Sequence, residues 1–338
     1  MKLFPAELEL FESERTDYSR LLAKIRTHTG TDDSDFSVTC IGNAGGSDAV
    51  SRGMPTGGLL IRYRDRSIVI DPGENSLAYL NRQGFNPYSV TDVIATHAHN
   101  DHVGDLTAFA SSALKLNLGN AGDVNILVPP TLIDYQNTSA TQYGFTLPAY
   151  AWEGHVQALF WKNTDIQRSD GRKIQSVRNA RVGSKIEVRS VEGRHAEIPV
   201  GGLIFTTPLG TFSYTADTEY FPGLIEYYRG SDVLWMNMST LGLGSRTDGD
   251  IGAIKNSEPI VNHLGYYGVC KLIEEVGPRT AIVSHFGSHL LPCINEIQTV
   301  LRNRFAELGI DIYCTHSGDR FRFSGSLAGQ AVLDSLES

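Results

Sequence analysis

Apolar and polar residues change their spacing along this chain, and each change marks an element. Over 6–27, Leu8, Phe11, Tyr18, Leu21, Leu22 and Ile25 recur at helical intervals between acids and bases. That predicts an amphipathic N-terminal helix placed before the main domain. From Phe36 the pattern shortens to strands: 36–41, the pair LLIRYR and SIVID joined by a tight turn at Asp65-Arg66, and VIAT at 93–96. Leu106, Phe109, Ala110, Ala113 and Leu114 return to helical spacing, so the stretch IATHAHNDHVGD at 94–105 falls in a strand-to-helix loop.

The second half repeats this logic. SKIEVRSV alternates Lys185, Glu187 and Arg189 with Ile186 and Val188, and LIFTTPLGTFSYTADT reads as a hairpin turning near Pro208 to Gly210. SDVLWMN, a glycine-rich stretch from 241 to 253, a helix over 264–276 stopped by Gly277-Pro278 and the strand TAIVSHFG follow. A closing helix uses Ile294, Ile297, Leu301, Phe305 and Leu308. Two strand-rich halves, each followed by helices, predict an α/β fold, an αββα four-layer sandwich with an N-terminal helical appendage. The expected organisation is a helical extension over 1–35 and one catalytic domain over 36–338. Within it, residues 134–181 read as an insertion in which Lys162, Arg168, Arg172, Lys173, Arg178 and Arg181 outnumber the acids, suiting a lid or substrate arm.

Composition narrows the classes. No apolar run approaches the roughly 20 residues that span a bilayer, and the start turns acidic too early for a signal peptide, so a cytoplasmic location is expected. Cys40, Cys270, Cys293 and Cys314 lie far apart without CxxC spacing, which argues against disulfides and a thiolate metal site. A net charge of -9 argues against a broad nucleic-acid-binding face but allows a local basic patch beside an anionic substrate.

The histidine-rich loop carries the chemistry. His97 and His99, two apart in extended chain, can turn to one side and ligate one ion, while Asp101 and His102 follow at a bend and reach a second. Further ligands should come from other strand ends: His195, Asp217 and His285 close KIEVRSVEGRH, TFSYTAD and TAIVSH. His97, His99 and His195 are assigned to one ion, Asp101, His102 and His285 to the other, with Asp217 bridging. Asp217 also stands where an aspartate could cap the next helix, but its strand-end position favours ligation. Imidazole and carboxylate without thiolate suit two divalent ions, zinc best, with manganese or iron compatible. Two ions roughly 3.5 to 4 Å apart share a hydroxide that attacks in hydrolytic displacement. Asp71, ending SIVIDPG, is placed to accept from a ligand histidine's other N–H. His28, His155, His289 and His316 are read as ordinary core or surface histidines.

The run His97-Ala-His99-Asn-Asp101-His102, with His195, Asp217 and His285 in that order, resembles the metallo-β-lactamase superfamily over about 36–325. Without a ligand cysteine it is similar to the phosphodiesterase and nuclease branch. GNAGGSDAVSRGMPTGG and NHLGYYGVCKLIEEVGPRTAIVSHFG resemble the tRNA 3′-end processing enzymes (tRNase Z) and their cyclic-nucleotide phosphodiesterase relatives. That branch carries a glutamate at the strand end that here reads Asn237-Met238-Ser239-Thr240, and a histidine that His263 matches.

The resemblance implies a binuclear hydrolase, a phosphodiesterase acting on RNA or a cyclic nucleotide. Asp101 and His263 are the catalytic candidates, His263 as the acid that protonates the leaving alkoxide, although it could simply pack or cap at its helix start. Tyr220, Asn237 and Ser239 are the substrate-binding candidates. A tyrosine placed like Tyr220 helps hold the carbonyl in lactone-hydrolysing members, so a lactone or thioester hydrolase is the alternative, and a non-catalytic nucleotide or metal sensor a third. The glycine run is either a turn or a place where backbone N–H groups approach a phosphate. The branch commonly forms homodimers.

Overall fold

Alternation along each strand sorts side chains onto two faces. In Leu59–Tyr63, Leu59, Ile61 and Tyr63 point to one core and Leu60 to another; in Gly201–Thr207, Leu203 and Phe205 share the first core and Ile204 turns away. The computed structural model describes residues 12–13, 15–17, 19–20, 35–116, 124–133, 155–167, 173–241, 254–255, 258–259 and 262–335.

Two sheets result. The first runs in the order Val332–Ser335, Asp319–Ser324, Asp35–Cys40, Leu59–Tyr63, Arg66–Ile70, Asp92–Ile94, Asn125–Val128, Val156–Ala158. The second runs Asn179–Val182, Ile186–Glu192, Gly201–Thr207, Gly210–Tyr214, Val233–Ser239, Thr280–Gly287, Asp311–Cys314. Their facing sides bury Phe36, Phe205, Phe212, Phe321 and Trp235, with Phe36 against Phe212 at 5.9 Å and Trp235 edge-on to Phe321 at 5.7 Å. Each phenylalanine so withdrawn from water contributes about 1.5–3 kcal/mol. Helix Leu106–Leu116 covers the outer face of the first sheet through Leu106, Phe109 and Ala110, and helices Gly265–Val276 and Ile294–Arg304 cover the second. The fold is an αββα sandwich.

Several boundaries shift from the sequence expectation. The first hairpin turns at Arg64–Asp65, because Arg66 already pairs with Tyr63 and its guanidinium lies buried 3.7 Å from Asp92. Leu308 is exposed, since helix Ile294–Arg304 gives way to a 3₁₀ turn at Ala306–Leu308 and the 3.6-residue period is lost. Of the segment 134–181, Val156–Ala158 extends the first sheet beside Asn125–Val128, and 134–154 and 168–172 lie outside the described residues. Of the expected N-terminal helix, 12–13, 15–17 and 19–20 are helical and exposed and the remainder lies outside, as does 242–253 of the glycine-rich stretch. Among the described residues no helix is long and apolar enough to cross a membrane.

Parallel pairing places the site. Arg66–Ile70 and Asp92–Ile94 run parallel in register Ile70↔Ile94, so the residues that leave them, Asp71 and Thr96-His97, emerge at one edge. Gly210–Tyr214, Val233–Ser239 and Thr280–Gly287 are parallel neighbours, which brings Asp217, Asn237 and His285 to the matching edge of the second sheet. Side chains at the carboxyl ends of adjacent parallel strands converge on one crevice.

Candidate metal centre

Asp71 organises the first-sheet half. It is fully buried with φ 48°, and it accepts from the Thr96 amide at 2.7 Å, the Thr96 hydroxyl at 2.7 Å, His102 Nδ1 at 3.0 Å and the Tyr214 hydroxyl at 3.1 Å. Because the Thr96 hydroxyl proton is committed to Asp71, its oxygen accepts from His97 Nδ1, 3.1 Å away. The Nδ1 atoms of His97 and His102 therefore point outward as donors, and both Nε2 atoms face inward. The helical turn Asn100–Val103 presents Asp101 and His102 on one side. Glycines hold this turn from outside: Gly46 N–H donates to Asp101 Oδ2 at 2.6 Å, and a Cβ on Gly57 or Gly73 would strike the Asp101 carbonyl.

The second-sheet half comes from three strand ends. His195 Nδ1 donates to the Asn262 carbonyl at 2.6 Å, which again leaves Nε2 inward. Ala196, Ala216 and His285 have φ of 49°, 55° and 57°, so the backbone enters the left-handed region beside or at each ligand, a strain that tertiary packing must sustain. A Cβ on Gly45 would overlap the His285 imidazole, so only glycine lets that segment lie against the ring. Asn237 Nδ2 donates to Asp217 Oδ1 at 2.8 Å and to the Tyr214 hydroxyl at 3.0 Å, while its Oδ1 accepts from Ser284, which accepts from Trp235 Nε1. Every proton direction along this buried chain is fixed, and it joins Asp217 to Asp71 through Asn237 and Tyr214.

The remaining oxygen, Asp217 Oδ2, sits at the centre. It lies 3.2 Å from His102 Nε2, 3.2 Å from His285 Nε2, 3.8 Å from His195 Nε2 and 3.9 Å from His97 Nε2. His99 Nδ1 is 3.1 Å from both His97 Nε2 and His195 Nε2. Ligand atoms of His97, His99, His195 and Asp217 fall within 4.8 Å of one another, as do those of Asp101, His102 and His285.

The charge balance suits cations. Burial, together with the neighbouring imidazoles, holds His97 well below its ordinary range, and burial with His263 brings His195 down to about 3. Burial opposes ionisation of Asp217, yet His285, His102 and His263 hold it well below the usual carboxylate range. Burial likewise opposes the charge on His102, but Asp217, Asp101 and Asp71 carry it well above normal. His102 and His285 Nε2 are buried without a hydrogen bond of proper geometry. Inward lone pairs clustered on anionic oxygens are the donor set that one or two divalent cations would satisfy.

The structure brings together His97, His99, Asp101, His102, His195, Asp217 and His285, with Asp71 hydrogen-bonded behind His102. His263 joins them, its Nδ1 3.7 Å from Asp217 Oδ2 and its ring 4.9 Å from that of His195. Other expectations do not hold. Asn237 is buried and its whole amide is spent on Asp217, Tyr214 and Ser284, so it orients Asp217 rather than meeting substrate. Tyr220 packs edge-on against Tyr267 at 5.8 Å, and the charges that act on its hydroxyl are those of Glu275 and Lys271 rather than the cluster.

Ser239 is buried at its strand end with φ 60°, paired with Phe286. The glycine run serves to seat Asp101 and His285. His155 bonds toward the Val124 carbonyl and His316 lies beside Asp319, both as ordinary histidines, and His28 lies outside the described residues. Thr96, Tyr214 and Asn262 went unnoticed in the sequence. Tyr214 alternates with Phe212 as a core aromatic does, and Asn262 acts through a carbonyl that every residue possesses, so only Thr96, next to His97, carried a signal.

Fold and site together resemble those of the metallo-β-lactamase superfamily. The family model of the metallo-beta-lactamase superfamily matches residues 58–171. Within that class it resembles the ribonuclease Z branch. Ribonuclease Z of Rippkaea orientalis is 33% identical over 106 residues, 31% of this chain and 33% of that protein. The chain thus spans about a third of that relative. Among solved structures, the metallo-beta-lactamase fold protein YhfI from Bacillus subtilis superposes with a TM-score of 0.58 at 16% identity, covering 86% of this chain and 100% of that one. The short form of human tRNase Z gives 0.55 at 13% identity, covering 84% and 98%. These two likenesses establish the fold.

Proposed function

We propose that the protein is a binuclear metal-dependent phosphodiesterase acting on RNA or a cyclic nucleotide. The observation that carries this reading is the thiolate-free ring of inward imidazole nitrogens around Asp217 Oδ2, with Nδ1 of His97, His102 and His195 hydrogen-bonded outward. His97, His99 and His195 would hold one ion, Asp101, His102 and His285 the other, and Asp217 both. Zinc suits these donors best. When bound, the ions supply Lewis-acid charge and lower the pKa of water.

The chain's own residues do the rest. Asp71, Thr96 and the Asn262 carbonyl turn Nδ1 of His102, His97 and His195 outward and leave their Nε2 atoms facing the cluster. Asn237 and Tyr214 hold Asp217 so that one oxygen faces the cluster. His263, beside Asp217 and 10% exposed, is placed to give a proton to the departing oxygen. The likeness to ribonuclease Z supports a phosphodiester rather than a carbonyl as the attacked group, and Tyr220, the residue behind the lactone alternative, packs against Tyr267.

The test is turnover of bis(p-nitrophenyl) phosphate, cyclic nucleotides and a short RNA by zinc-loaded protein. Hydrolysis of at least one, lost in the His263→Ala variant with metal content unchanged, is the expected result. Inertness toward all three, with acyl-homoserine lactones hydrolysed, would replace the reading.

A further inference from the structure

Beside His195 the protein opens a cavity of about 700 Å³, a volume ordinary for a small-molecule site. Its walls are mainly apolar: Phe160, Trp161, Ile198 and Val200 line it, with Pro130 and Pro199 completing the surface. The indole is locked in place, because Trp161 Nε1 donates to the Val200 carbonyl at 3.0 Å and its ring lies 5.3 Å from that of Phe160. The site as described above makes no use of this space.

Its charges say what does not belong there. Among the described residues, Asp165, Glu192, Glu197 and Glu219 line it against Lys162 and Arg194. Arg194 is already committed, its Nε 3.0 Å from Glu192 and its guanidinium 4.1 Å over the Phe221 ring. A second phosphate in this space would face an excess of carboxylates, so a polynucleotide strand running through it is disfavoured. An uncharged flat ring, by contrast, would find rigid aromatic and aliphatic walls. The position also selects one side of the reacting group. His195 lines the cavity, whereas His263, proposed above as the acid for the departing oxygen, is not among its lining residues.

We propose that this cavity binds the substituent retained on phosphorus and that it selects an uncharged aromatic ring, making the substrate a small diester rather than a long RNA. This rests on the phosphodiesterase reading above. Two substrates with the same leaving group test it, bis(p-nitrophenyl) phosphate and methyl p-nitrophenyl phosphate. Zinc-loaded protein should prefer the first by at least about tenfold in kcat/KM, the scale on which an apolar pocket discriminates. Ile198→Trp, which puts an indole into the space proposed for the aryl ring, should abolish that preference while leaving metal content and turnover of the methyl ester unchanged. A second readout is calorimetric binding of the two diesters to metal-stripped protein, where the aryl ester should bind at least about fivefold tighter and Ile198→Trp should erase the difference.

Equal kcat/KM and equal affinity for the two esters would overturn the proposal, as would a short oligoribonucleotide turned over with a higher kcat/KM than either. If zinc-loaded protein hydrolyses no diester, the phosphodiesterase reading fails and calorimetry decides the cavity alone. A preference erased by Ile198→Trp then keeps it, and none removes it.

Discussion

The two sheets furnish the cluster in opposite ways. The first delivers His97, His99, Asp101 and His102 from six consecutive positions, a single loop and one helical turn pinned by Asp71. The second delivers His195, Asp217 and His285 from three strands, each ligand at or beside a left-handed residue, and holds Asp217 through Asn237 and Tyr214. Local geometry places the first group, whereas sheet register and a buried hydrogen-bond chain place the second. A site assembled by register is sensitive to changes well away from the ligands.

The largest effects come from the ligands themselves. His97→Ala and His285→Ala should each lower turnover by more than about a hundredfold, since losing only an outer partner of a ligand costs about 10–100-fold. Metal analysis should find each variant short of one ion, His97→Ala keeping the one assigned to Asp101, His102 and His285 and His285→Ala the one assigned to His97, His99 and His195. Loss of both ions from either variant would contradict the assignment of the ligands to two separate ions.

Next come the partners behind the ligands. Asp71→Ala acts on the first-sheet loop and Asn237→Leu on Asp217, and each should weaken zinc binding about 10–100-fold in a chelator competition. If Asn237→Leu leaves affinity unchanged, the chain through Tyr214 has no part in holding the second group. Gly45→Ala places a methyl group in the His285 ring and should destabilise by about 1–3 kcal/mol in urea unfolding. An unchanged midpoint would show that the ring has room to move.

Two thiols compare the interiors flanking the site. Burial pushes Cys40, at the end of a first-sheet strand, and Cys314, at the end of a second-sheet strand, up to about 12. The fold thus favours the neutral thiol. Its contribution is complete below the unfolded value near 9 and is lost as pH rises toward 12, because only the unfolded chain ionises. At pH 10 the loss should be about 1.4 kcal/mol per thiol relative to pH 8. Urea titrations of Cys40→Val and Cys314→Val should each show a shallower decline, and an unaltered slope in one of them would mark that interior as wetter. The smallest effect is expected at Tyr220→Phe, within about twofold in diester turnover.

Legibility followed the same division. The first-sheet ligands stand out because four donors in one loop have no packing explanation, and the strand-to-helix spacing shows where that loop lies. His195, Asp217 and His285 could be located because each follows an alternating apolar run, which marks strand ends. What holds them was hidden. Asn237 looked like a polar group free for substrate, and only the register Asn237↔Ser284, which the sequence does not state, turns its amide onto Asp217. Tyr220, three residues past Asp217, looked poised for chemistry, but the chain's left-handed bend at Ala216 and the packing on Tyr267 take it elsewhere. The cavity beside His195 depends on strands brought together from distant segments and had no signature at all.

The central claim is that these seven side chains hold a pair of ions about Asp217. Anomalous scattering from crystals of zinc-loaded protein tests it most directly. Two peaks are predicted, one among His97, His99 and His195 and one among Asp101, His102 and His285, with Asp217 touching both. A single peak away from Asp217, or none at full zinc loading, would contradict the account.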